Sequence, residues 1–128
     1  MNTRLPITAA LVLLLLSSTS ARSADSIEKS AIANLTRGLC MSCHSISGEN
    51  ETIAPAFSQI LKVYRLTDKA TPTTIAEAIA TYTKNPQKAK GRLPKNYRDA
   101  QMTAIQLPNE QLIAIAKYLQ ALIPPEEG

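Results

Sequence analysis

The sequence predicts an all-α fold of about four short helices. Two observations carry this: apolar residues recur at helical spacing in four separate stretches, and no stretch of any length alternates apolar and polar residues as a strand would. A third agrees with them, since Pro55, Pro72, Pro86, Pro108 and Pro124 fall at the edges of those stretches, where helices start or stop.

The N-terminus reads first as an address. Arg4 gives a positive start, Ile7 to Leu16 an apolar run, and Ser17 to Ala24 a small-residue stretch suited to a signal peptidase. Residues 1–24 are therefore expected to be a cleavable secretory signal peptide, with the cut falling within Ala21 to Ala24, and 25–128 the single folded domain. The apolar run is short for a bilayer span, so an uncleaved membrane anchor is the rival expectation.

From Asp25 the pattern is helical. Asp25 with Glu28 three places on matches a capping box, and Ile27, Ala31, Leu35 and Leu39 share one face. Ser45 to Thr52, with Gly48 and Asn50, reads as a loop. Pro55 is expected near the first position of the next helix, along which Phe57, Ile60, Leu61 and Tyr64 are spaced at i, i+3, i+4 and i+7. Thr71-Pro72 supplies an N-cap followed by proline, Ile75, Ala78, Ile79 and Tyr82 continue at helical spacing, and Asn85-Pro86 ends the element. Lys84 to Asp99 has neither period and reads as an irregular loop with six basic residues. Pro108 opens the last helix, where Leu112, Ile115, Ala116, Leu119, Leu122 and Ile123 form a stripe that stops at Pro124-Pro125.

The chemistry is concentrated in Cys40-Met41-Ser42-Cys43-His44. Two thiols and an imidazole at this spacing are the c-type haem attachment signature: each sulfur adds to one haem vinyl group, and the histidine is placed to ligate the iron. A dithiol redox enzyme would need a βαβ setting, and the flanks are helical instead. A structural zinc needs four nitrogen or sulfur ligands, and the chain has two cysteines and one histidine in all.

Composition agrees with a haem. Removing residues 1–24 takes away Arg4 and Arg22, leaving 12 Lys+Arg against 10 Asp+Glu, a formal charge of +2. A balance that low argues against nucleic acid as a partner. Both cysteines lie in the motif, so none is left for a disulfide, and a covalently held apolar cofactor would complete the core of so small a domain. The absence of Trp and the single Phe fit a core finished by a porphyrin.

With its attachment motif near the N-terminus, a later single methionine and an aromatic-leucine pair at Tyr118-Leu119 in the terminal helix, the chain resembles the class I c-type cytochromes, small single-haem electron carriers. The resemblance covers essentially the whole of 25–128. It implies a cytochrome c-like fold of about four short helices around one covalently bound haem c, with the first and last helices crossing so that Leu35 meets Tyr118 and Leu119. It implies thioethers at Cys40 and Cys43 and His44 as the proximal ligand. The family's Gly-Pro-x-aromatic turn matches Ala54-Pro55-Ala56-Phe57 with alanine for glycine, and the resemblance gives the Pro55 carbonyl the task of holding the far nitrogen of His44. The sixth ligand follows by elimination: there is no second histidine, Met1 leaves with the signal, and Met41 is pinned between the two cysteines. Met102 remains, just before the last helix as in the family, although the proline that commonly follows it in bacterial relatives is absent. Its rival role is plain core packing.

The expected function is a periplasmic electron carrier, not an enzyme, shuttling one electron between larger complexes. Two other expectations stand beside it. One is the cytochrome subunit of an exported oxidoreductase; the other, with Met102 off the iron, is a gas-binding or peroxidatic haem protein. Lys84, Lys88, Lys90, Arg92, Lys95 and Arg98 are either a solvated loop or a patch that steers an acidic redox partner. Tyr82 and Tyr97 are either half-buried packing or hydrogen-bond donors to the haem edge. Contact with a membrane is expected only through an uncleaved signal or membrane-bound partners.

Overall fold

The computed structural model describes residues 8–48, 53–86 and 102–126. Lys88, Lys90, Arg92, Lys95, Tyr97 and Arg98, and with them nearly all of the basic segment, lie outside the described residues. The described residues form four helices and no strand: α1 Thr8–Leu39, α2 Phe57–Arg65, α3 Pro72–Lys84 and α4 Asn109–Leu122. By its contacts the chain divides into two compact units, Met1–Ala31 and Ile32–Gly128.

In the first unit the capping-box expectation at Asp25 fails. The backbone is already helical from Thr8, so Asp25 sits inside α1 with no free amides ahead of it to cap. Its carboxylate instead takes the Lys29 ammonium, one turn on, at 2.8 Å. Both side chains are exposed, so the pair adds little. Among the described residues, no helix is long and apolar enough to cross a membrane.

The second unit holds the core. Phe57, Ile115 and Leu119 form one buried cluster, with Ile32 and Leu35 of α1, and Cys40 just beyond that helix, packed against it. Leu35 thus packs against the cluster that contains Leu119. Leu61, Tyr64 and Ile75 form a second cluster, which shares Ile60 and Ile123 with the first as partly buried neighbours. Burying side chains of this size stabilises by about 1.5–3 kcal/mol each before chain entropy is counted.

Local chemistry sets the helix ends. Thr71 and Thr74 form the reciprocal cap of α3, with Thr71 Oγ1 accepting from the Thr74 amide at 3.1 Å and Thr74 Oγ1 accepting from the Thr71 amide at 2.8 Å, and Pro72 takes the first position. Helix α2 has no side-chain cap, because its N-cap is Ala56. Its first amides are taken from outside: Phe57 N–H donates to Ser45 O at 2.9 Å and Ser58 N–H to Ile46 O at 3.0 Å. Pro55 accordingly lies two residues ahead of the helix, not at its first position, since the chain must stay extended at Ala56 (φ −61°, ψ 148°) for those amides to meet the loop. At the other end, the Arg65 guanidinium donates to the Ile123 and Pro124 carbonyls, tying α2 to the end of α4. Gln120 Nε2 donates to Pro72 O at 2.8 Å and joins α4 to the start of α3.

Candidate functional site

The Cys-x-x-Cys-His stretch begins where α1 ends. Thr36 is completely buried, its hydroxyl donates to Ile32 O at 2.8 Å, and its carbonyl accepts from the amides of Cys40 (2.9 Å) and Met41 (3.2 Å). The Cys40 carbonyl then accepts from Cys43 (3.2 Å) and His44 (3.0 Å). Bonds to i+3 and i+4 keep this turn nearly helical, and in a helical turn residues i, i+3 and i+4 share a face. The spacing of the motif therefore has a geometric meaning, since two thiols and an imidazole come out on one side while Met41 and Ser42 fall off it.

That side opens on a cavity whose lining includes Cys40, His44 and Met102, over a floor of Phe57, Ile115 and Leu119. The end of α1 with the motif, α2, α3, the stretch before α4 and α4 itself all contribute to that lining. Cys43 is half-buried in the turn, and both cysteines are free thiols. Burial pushes the Cys40 thiol up, so it is held as the neutral S–H.

His44 is oriented by two neighbours. Its Nδ1 lies 2.7 Å from Pro55 O. A carbonyl only accepts, so Nδ1 carries the proton and Nε2 is left with the lone pair. Burial lowers the imidazole pKa below its ordinary value, and the bond to Pro55 opposes that only in part, so the ring is neutral around pH 7. The second neighbour is Phe57, whose ring centroid is 4.9 Å from that of His44. The alanine at position 54 does no harm to this turn: among the described residues the only non-glycine with positive φ is Lys69, so Ala54 needs no glycine-like backbone.

Met102 is half-buried at the cavity wall. Beside it Thr83, 9 % exposed, donates its hydroxyl to Ile79 O at 2.8 Å, and its carbonyl accepts from Ile105 N–H at 3.1 Å. Tyr82 is half-buried and burial raises its phenol pKa. Sequence reasoning missed Thr83 because it followed the stripe to Tyr82, one position away. It placed Phe57 in the turn after Pro55 and in the core of α2, but not against the His44 ring.

The donor set fits a covalently held haem. The Cys40 thiol, a neutral imidazole with a free lone pair and a thioether line one apolar cavity, and the second thiol, Cys43, follows in the same turn just outside that lining. The comparisons point the same way, since the family model described as Cytochrome c matches residues 30–122. No curated protein and no solved structure matches the chain.

Proposed function

Because the chain belongs to the cytochrome c family, its cofactor is haem c, covalently attached, and its chemistry is haem-based electron transfer; from that premise we propose that it is a periplasmic single-haem electron carrier with His44 and Met102 as axial ligands. The observation that carries the proposal is the convergence of Cys40, His44 and Met102 on one apolar cavity.

Haem c supplies an iron that changes charge by one electron without releasing either ligand. The chain's part is to hold and to exclude. Cys40 and Cys43 form thioethers on the turn that follows Thr36. His44 offers Nε2, and Pro55 O holds its Nδ1–H and raises its basicity. Met102, at the wall of the same cavity, would supply a thioether ligand, a pairing that would raise the potential relative to two nitrogen ligands. Phe57, Ile115 and Leu119 keep water from the ring.

Export completes the proposal: residues 1–24 direct the chain outward and are removed, and the carrier then meets acidic redox partners near Lys84 to Arg98. The decisive experiment is the visible spectrum of the exported, haem-loaded protein in both redox states. Low-spin spectra with the weak red sulfur-to-iron band in the ferric form are expected. A high-spin ferric spectrum, or ferrous protein that binds carbon monoxide at once, would mean an open sixth position and a gas-binding or peroxidatic protein instead. N-terminal sequencing of the same sample tests the cut within Ala21 to Ala24.

A further inference from the structure

We propose that Phe57 is a positioning residue that sets the plane of the His44 imidazole. This rests on His44 ligating the iron, and deepens that assignment by naming what orients the ligand.

The Pro55 bond alone leaves the orientation incomplete. Carbonyl oxygens accept hydrogen over a broad range of directions, so a 2.7 Å contact fixes where Nδ1 lies and still allows the ring to tilt about the Nδ1–O line. A flat neighbour removes that freedom. The Phe57 ring lies 4.9 Å from the imidazole, centroid to centroid, with 31° between the planes, within the range where aromatic pairs gain beyond simple burial. Phe57 is itself held from behind: it is 6 % exposed and packs with Ile115 and Leu119 of α4.

The same residue also grips the backbone. Its N–H donates to the carbonyl of Ser45, the residue directly after His44, at 2.9 Å. One side chain and one amide therefore constrain the imidazole from its face and from its own chain. Through Phe57 the packing of α4 reaches the ligand plane.

The plane of an axial imidazole governs how the iron d orbitals split, which the electron paramagnetic resonance spectrum of the ferric low-spin protein reads as its g values. Phe57→Leu keeps apolar bulk and the N–H while removing the flat face. Its g values are expected to shift by more than the wild-type linewidth and to broaden. Phe57→Tyr keeps the face and is expected to retain the wild-type spectrum. Leu61→Val is the control, since Leu61 is fully buried in the neighbouring cluster; it should lower stability and leave the g values unchanged. If Phe57→Leu gives the wild-type g values, or Leu61→Val moves them as far, Phe57 is core packing and the proposal fails. A wild-type protein with no low-spin ferric signal would instead overturn the ligation itself, and this inference with it.

Discussion

The amide of Ile105 donates to the carbonyl of Thr83 at 3.1 Å, joining the last turn of α3 to the strand of chain that carries Met102 three residues earlier. The bacterial relatives that the sequence resembles commonly stiffen this stretch with a proline after the methionine. Here a backbone hydrogen bond to a buried, hydroxyl-anchored threonine restrains it.

Ile105→Pro removes that donor. Stability should fall by about 1–2 kcal/mol, the cost of leaving the Thr83 carbonyl without its partner. If the bond also restrains the proposed ligand, ferrous protein should bind carbon monoxide more readily than wild type, measured by flash or stopped-flow spectroscopy. A variant that loses stability and gains no carbon monoxide binding would separate the strap from the ligand.

Met102→Ala should leave haem attached, because neither the thioethers nor His44 depend on it. The expected signs are loss of the weak red ferric band, a lower potential and open carbon monoxide binding. An unchanged ferric spectrum would place the sixth ligand elsewhere.

Cys40→Ala with Cys43→Ala should abolish the haem stain that survives denaturing electrophoresis. With no disulfide available to the chain, the yield of folded protein should fall as well. A double variant that kept haem through the gel would contradict covalent attachment.

Among the described residues, the two positive-φ positions should respond with opposite signs. Gly48 has φ 87° and a Cβ there would sit 3.4 Å from that of Ala56, so Gly48→Ala should cost about 1–2 kcal/mol. Lys69 has φ 62° with a side chain already in place, so Lys69→Gly should be stabilising by up to about 1 kcal/mol. Urea midpoints of the two variants against wild type decide both.

For the basic segment, Lys88, Lys90 and Lys95 reversed to Glu should slow electron transfer to an acidic acceptor, and the loss should shrink as salt rises past a Debye length of about 10 Å at 0.1 M. Equal stopped-flow rates and equal salt slopes would reduce the segment to solvated surface.

Much of this was legible in the residues. Helices α2, α3 and α4 follow from strong 3.6-residue periodicity closed by Thr71-Pro72, Asn85-Pro86, Pro108 and Pro124, all local signals. Cys40 and His44 were legible from their spacing and Met102 by elimination, and all three line one cavity. What escaped is non-local. Nothing near Ala56 announces that the first amides of its helix are capped by carbonyls twelve residues before them, and no pattern links Ile105 to Thr83. Asp25 misled because a capping box is a statement about what lies ahead of it, and the residues ahead are helical too.

The capping of α2 by the loop after His44 also bears on the order of assembly. A nine-residue helix is too short to persist alone, so α2 must wait for its packing partners, and its first two amides must wait for Ser45 and Ile46 to arrive. The cofactor-bearing turn and the second helix should thus gain protection from exchange in one cooperative event. The amide protons of Phe57 and Ser58 become reporters of attachment: in deuterated water they should exchange quickly in the haem-free chain and slow together with those of Cys43 and His44 once the thioethers are made.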